Sequence, residues 1–404
     1  MIGVASILAL LSVGPTTCLP VEPAISEAIE RGGQVALADA NIAEAKANRD
    51  ELDSLWRPRV DAYADSLVGD TAVTGARLSN QVGLQVTQRV IDFGDAARRK
   101  RLGDASLAAT NADRLLAAEE SGIEIGRLLA AILVSTRQVD VLETTYAVFE
   151  RRLSALEPLL RQGLATRQDI AALRSEIFAV RSRIEAARLD GVQAETMLEQ
   201  RFGLDASALC PLADLKIGGA AIATLASGSQ TARETGALAR LRAADAESDL
   251  ASSARLPIIE VTGRSAYGSD TFDDGFRLRQ QGGLSIRLPL YAGAALGARS
   301  RQAQARQVQA QAELRLAREQ AEARRQLLLR RRISLGLRLD LLARALEETT
   351  REMATVEERI GLGAATIDDL IEVRRRYDAL AHERNQTLGQ RLENEIEIWM
   401  VGSA

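Results

Sequence analysis

The side chains that usually carry enzymatic chemistry are scarce in this 404-residue chain, which has one histidine, His382, and two cysteines, Cys18 and Cys210. A zinc site needs a set of Cys or His ligands, and nucleophilic hydrolysis usually needs an imidazole base beside its Ser or Cys. Neither set can be assembled here. His382 lies among Ala381, Glu383 and Arg384 in a helical stretch, the setting of an exposed helix residue. Carboxylates are plentiful, but no glycine-rich phosphate loop or nucleophile elbow accompanies them. The expectation is a protein without catalytic residues, cofactor or metal site. Formal net charge is −4, with both signs mixed along the chain, so no nucleic-acid surface is marked. The arginine-rich run Arg324 to Arg332 has no neighbouring aromatics on which bases stack, and it sits mid-helix as a solvated or salt-bridged face.

The elements that would carry any function are legible from periodicity. "GLATRQDI" (163–170) returns as "GAATIDDL" (363–370). Ahead of the first copy, Val139, Leu142, Tyr146, Phe149, Leu153, Leu156 and Leu160 alternate steps of three and four. Leu339, Leu342, Leu346, Thr349, Met353, Val356 and Ile360 repeat the register. Beyond each copy the phase is kept by Ile170, Leu173, Ile177, Val180 and Ile184, and by Leu370, Val373, Tyr377, Leu380 and Arg384. The chain is an internal duplication with a period of about two hundred residues, far longer than solenoid repeats. No proline falls between Asp95 and Glu157 or between Ala294 and Ile360, so each half holds a helix of some sixty-five residues, a rod on the order of 100 Å. Gly163 and Gly363 reverse the chain. Thr166 and Thr366 cap the returning helices, with Asp169 and Asp369 at the reciprocal first-turn position.

A period of two precedes each long helix. Pro58 and Pro257 close shorter helical stretches and force the preceding residue extended. After them, Val82, Leu84, Val86 and Val90 alternate with polar or small residues, as do Leu284, Ile286, Leu288 and Leu290. Their hairpin partners begin at Arg59 and Ile258 and alternate less cleanly; "GDTAVTGARLSN" and "SDTFDDGFR" are polar, turn-rich connections. The expected organisation has a probable signal segment at 1–17, whose apolar run is too short to span a membrane, the rival being a buried N-terminal helix. The first repeat, 18–202, has strands at about 59–68 and 81–91, a long helix at about 94–162 and a return helix at about 166–201. An inter-repeat segment covers 203–231. The second repeat, 232–404, has strands at about 258–268 and 278–291, a long helix at about 294–360 and a return helix at about 366–399.

Strands of about ten residues match a tilted membrane-spanning strand, but four cannot close a barrel, which needs about eight. Several copies of the chain must pool their strands, or lipid would face an open sheet edge. Trp56, Tyr63, Phe93, Tyr267, Phe272, Phe276 and Tyr291 lie in or beside the two hairpins, a clustering that suits interfacial girdles.

With these features in order, the chain resembles the TolC-like outer-membrane efflux and secretion channels. "QRVIDFG" (88–94) and "RLPLYAG" (287–293) resemble that family's strand-to-helix phrase, "LWRP" and "ARLP" its helix-to-strand prolines, and the two Gly-Leu/Ala-Ala-Thr tips its periplasmic hairpin ends. The resemblance implies a mainly α fold with a small β part: a homotrimer whose shared twelve-stranded barrel sits in the outer membrane of a Gram-negative bacterium and continues as an α-helical tunnel through the periplasm, segment 203–231 being equatorial. It further implies a periplasmic adaptor (membrane fusion) protein docking on Gly163, Leu164, Ala165, Thr166, Gly363, Ala364, Ala365 and Thr366, and an inner-membrane pump or ABC exporter behind it. Under threefold symmetry Asp169, Asp368 and Asp369 become entrance rings of carboxylates that favour cations. Arg89 stands where the family often has proline, the leader is atypical, and little follows Trp399; these are trimmings of the family pattern. Cys18 and Cys210 occupy equivalent junctions ahead of each half, and export into an oxidising compartment makes a disulfide between them one role and lipidation of Cys18 the other, although "PTTC" matches a lipidation site poorly. The rival to the channel is a soluble coiled-coil scaffold or tether, which has no use for the alternating strands.

Overall fold

The computed structural model describes residues 18–71, 75–162, 165–211, 219–228, 230–270, 273–289 and 294–403. The leader at 1–17, the tip residues Gly163 and Leu164, Phe272 and the stretch 290–293 containing Tyr291 lie outside them, as do 212–218 and 229 of the inter-repeat segment. Each repeat has the order helix, strand, strand, long helix, helix. In the first, α1 (Val21–Arg31) and α2 (Gly33–Asp53) lead into β1 (Arg59–Thr71), β2 (Gly75–Ile91), α3 (Asp95–Arg161) and α4 (Arg167–Phe202). After the short α5 (Gly219–Ser227), the second runs α6 (Ala232–Ser253), β3 (Ile258–Asp270), β4 (Asp273–Arg287), α7 (Ala295–Gly361) and α8 (Ile367–Ser403).

Two compact units divide these elements. One comprises residues 1–36, 117–231 and 322–404, and the other 37–116 and 232–321; α3 and α7 contribute to both. In the first unit, the three-and-four stripe of α3 meets that of α4. Leu142, Phe149 and Leu156 are buried against Ile170, Leu173, Ile177, Val180 and Ile184, with Ile367 and Ile371 of α8 closing the cluster. A second cluster joins α1 (Ile25, Ile29), α3 (Ile125, Leu129), α4 (Leu198, Phe202) and α8 (Leu392, Ile396, Met400). The approach of α3 to α8 depends on glycine, because a Cβ on Gly122 would lie 2.5 Å from Met400 Sδ and one on Gly389 2.6 Å from Val134 Cγ2. Pro158 lies in the last turns of α3, which ends at Arg161, so only a short stretch of helix follows the missing donor.

In the other unit, the four strands form one antiparallel sheet in the order β1-β2-β3-β4. Its central pair, β2 with β3, joins the two repeats, and β1 and β4 are the edges. Pairing runs further than composition predicts: β1 and β2 stay in register out to Thr71 opposite Gly75, and β3 and β4 to Asp270 opposite Asp273. The backbone ladder thus runs into both polar connections, taking in 69–71 and 75–80 of the first and 269–270 and 273–277 of the second. The strand-to-helix phrase has a local cause as well. Phe93 and Gly94 take positive φ, 51° and 89°, and Asp92, 2% exposed, accepts the N–H groups of Gly94 at 2.9 Å and Ala96 at 2.7 Å, capping α3.

Candidate channel sheet and hairpin tips

Register divides the sheet into two chemically different faces. Directly opposed residues share a face, so Val60, Ala62 and Ala64 of β1 lie with Val82, Leu84 and Val86 of β2, with Val261, Gly263, Ser265 and Tyr267 of β3, and with Leu278, Leu284 and Ile286 of β4. Its large residues are solvent-exposed: Val82 57%, Leu84 54%, Leu284 64% and Ile286 66%. An apolar face left uncovered on a sheet is an interaction surface. Small residues on β1 and β3 explain why these two strands alternate less cleanly in the sequence.

The opposite face is polar and rich in arginine. Arg59, Arg89, Arg264, Arg277, Arg279 and Arg287 share it with only three acids, Asp61, Asp65 and Glu260, among the residues whose side chains are described. At the end where the strands meet the helices, charges pair: Arg59 with Asp61 at 3.0 Å, Arg89 with Asp95 at 3.3 Å and with Glu260 at 3.5 Å, and Arg287 with Glu260 at 3.9 Å. Arg89, the departure from the family's proline, is thus tied to both the helix start and the neighbouring repeat. Mid-sheet, the partners of Arg264 are neutral. Arg264 donates Nη2 to Gln85 Oε1 at 2.6 Å and Nε to the same oxygen at 3.2 Å, and its guanidinium lies 5.2 Å from the centroid of the Tyr63 ring. Gln85 is itself held by its amide donating to Thr87 at 3.3 Å. Gly83, opposite Tyr63, leaves room for the ring, since a Cβ there would sit 3.0 Å from the Tyr63 hydroxyl and 2.4 Å from the Ser265 carbonyl. This arginine set was missed from the sequence, although Arg277, Arg279 and Arg287 share one parity in β4.

At the tips, both capping boxes form. The Thr166 N–H donates to Asp169 Oδ2 at 3.0 Å and the Asp169 N–H to Thr166 Oγ1 at 3.1 Å; for Thr366 and Asp369 the distances are 2.7 and 3.2 Å. Asp is long enough for the reciprocal bond. Gly363 takes φ 70°, and Arg359 Nη2 donates to the Ala364 carbonyl at 3.1 Å, closing the turn. The Thr366 amide and hydroxyl, helped by Arg359, hold the Asp369 carboxyl below its ordinary value. Leu362 next to the tip is 77% exposed, whereas Ala165 packs on the hairpin core. Capping therefore accounts for Asp169 and Asp369, and exposed Asp368 makes no cap bond.

Below the tips lies a charged cluster that sequence reasoning did not find. The Thr145 hydroxyl lies 2.7 Å from Asp378 Oδ1 and receives Arg374 Nε at 2.8 Å; Arg374 and Asp378 side chains are each 4% exposed and 3.7 Å apart. Burial pushes the Asp378 carboxyl above its ordinary value. Beside it, buried Glu176 accepts Arg183 Nη2 at 2.8 Å and Arg375 Nε at 3.0 Å. The arginine run of α7 is a salt-bridged face: Arg324 reaches Glu119 at 2.6 Å and Glu397 at 2.9 Å, and Arg332 reaches Glu395 at 2.8 Å. His382 is exposed and lies between Gln138 and Gln386, at 3.0 and 2.8 Å. Cys18 and Cys210 are joined by a disulfide, beside the bonds from Leu19 N–H to the Ala208 carbonyl (2.9 Å) and from Cys210 N–H to the Leu19 carbonyl (3.0 Å).

Residues 236–399 match the family model of the outer membrane efflux protein. No curated protein matches the chain. Among solved structures, the outer membrane protein VceC of Vibrio cholerae superimposes with a TM-score of 0.79 at 16% identity, covering 94% of this chain and 95% of that one. The CmeC outer membrane channel of Campylobacter jejuni gives 0.80 at 16% identity, covering 100% and 93%. The MtrE outer membrane channel of Neisseria gonorrhoeae, in its open state, gives 0.74 at 18% identity, covering 95% and 88%.

Proposed function

We propose that the chain is an outer-membrane channel of a Gram-negative bacterium, extending into the periplasm, and that it serves as the exit duct of a tripartite efflux pump or type I secretion system. The observation that carries this reading is the four-stranded sheet with one exposed apolar face, one polar face and two unpaired edges. Lipid covers the apolar face, and three copies joined edge to edge give twelve strands with the polar face lining the lumen. Among the described residues no helix is long and apolar enough to cross a membrane. The long helices continue the conduit, and their tips, Gly163 to Thr166 and Gly363 to Thr366, dock a periplasmic adaptor that connects to an inner-membrane pump or ABC exporter. Opening is a population shift that the partner drives by binding the open tips better than the closed ones. Asp368, free of a capping role, is the acid best placed to form an entrance ring.

Fractionation tests the reading. A heat-sensitive trimer in outer-membrane vesicles that conducts ions in planar bilayers is expected; a monomer in the soluble fraction would instead establish the coiled-coil scaffold.

A further inference from the structure

We infer that the polar face of the sheet is an anion-binding collar centred on Arg264, so that the outer half of the conduit selects for anionic solutes bearing carboxylate, phosphate or sulfonate groups. The inference rests on the channel reading, because the face must line a lumen. Its own basis is the distribution of charge. Where the strands meet the helices, arginines are matched by acids within 4 Å, as Arg59 is by Asp61 and Arg89 by Asp95. Arg264 is different: the partners of its guanidinium, among the described residues, are the Gln85 carbonyl oxygen and the Tyr63 ring. Both leave the full positive charge in place and fix its position. Gln85 takes the Nε and Nη2 edge, which leaves Nη1 to meet a solute.

Arg279 of β4 lies on the same face one pair further along, opposite Ala266. Threefold symmetry turns each position into a ring of three cations. Arginine in a fixed orientation suits this task, since its planar fork binds carboxylate or phosphate oxygens in two bonds and remains charged at every physiological pH.

Inositol hexakisphosphate is a suitable probe, applied to wild-type trimers in planar bilayers at low salt, where screening is weak. Block of the current is expected. Arg264→Gln should weaken that block by about tenfold or more while the heat-sensitive trimer and the conductance persist. Arg264→Lys, which keeps the cation, should retain most of it. Absence of block in the wild type, block unchanged in Arg264→Gln, or loss in Arg264→Lys as complete as in Arg264→Gln would overturn the collar. Trimers that conduct nothing would overturn the channel reading itself, and the collar with it.

Discussion

Replacing Asp378 by leucine removes the only carboxylate within 4 Å of Arg374 among the described residues, and the cost follows from the burial of that arginine. The Arg374 side chain is 4% exposed, its Nε is satisfied by Thr145, its Nη1 reaches the Met353 sulfur at 3.4 Å, its Nη2 has no hydrogen-bond partner among the described residues, and its guanidinium lies 5.0 Å from the centroid of the Tyr377 ring. A buried charge stripped of its counter-ion costs about 3–5 kcal/mol, whereas replacing both members by apolar residues of similar size is near neutral. Asp378→Leu should therefore raise local opening of α3 near Thr145 and of α8 near Asp378 by roughly a hundredfold or more, given that 1.4 kcal/mol is about tenfold. Arg374→Met/Asp378→Leu should return within about tenfold of the wild type, because neither member of the pair is then left without its counter-ion. Hydrogen exchange resolved to peptides spanning 141–149 and 370–380 reads both quantities without requiring reversible global unfolding. Equal exchange in the single and double variants would refute the argument, since the penalty would then come from lost packing and not from an orphaned guanidinium.

Other perturbations give distinct outcomes. Thr366→Ala removes one capping box and should cost about 1 kcal/mol, seen as roughly fivefold faster exchange in the first turn of α8 with α4 unaffected. Acid should act with opposite sign at two carboxyls: the depressed Asp369 stabilises the tip above the ordinary carboxylate range and loses that contribution as pH falls through its folded value. The raised Asp378 contributes most below the ordinary range and loses that contribution as pH rises through its folded value; site-resolved carboxyl NMR on the two acids checks both. Replacing Cys18 and Cys210 with serine opens a loop of 192 residues and should lower stability by about 5 kcal/mol in the chain-entropy model, read as a lower thermal midpoint that reductant reproduces in the wild type. Leu84→Arg, on the apolar face, should cost about 2–4 kcal/mol and reduce trimer yield in the outer membrane, whereas Ser285→Arg on the other face, opposite Glu260, should not.

What was legible in the sequence was local. The Thr-x-x-Asp boxes are three-residue patterns whose geometry is set by the chain itself, and the β2 and β4 faces show because Val, Leu and Ile fill alternate positions. β1 and β3 were obscured by Ala62, Ala64, Gly263 and Ser265, small residues that occupy the apolar face without announcing it. Long-range features were illegible for a physical reason: Thr145 and Asp378 are 233 positions apart, and Arg264 and Gln85 are 179 apart, so no spacing rule connects them. The junction cysteines were visible, but pairing and lipidation of Cys18 both fitted their positions until the Leu19 and Leu209 segments were seen side by side.

The duplication also shows where the two copies stopped being interchangeable. Counting from the conserved spacing of the tips, the equivalent of Asp378 is Phe178, 69% exposed where Asp378 is buried, and the equivalent of buried Arg374 is Arg174, which pairs with exposed Glu157 at 3.0 Å. Counting from Pro58 and Pro257, the equivalent of Arg264 is Asp65. Shared backbone positions thus carry opposite charge or opposite burial. A fold maintained by the heptads and capping boxes of both repeats has no need of such differences, because the boxes at Thr166 and Thr366 are the same in each. They are the changes that a duplicated chain requires if one copy is to supply Arg264 of the polar face and the charged anchor beneath the tips, while the other supplies Gln85, Tyr63 and Thr145, against which those groups are held.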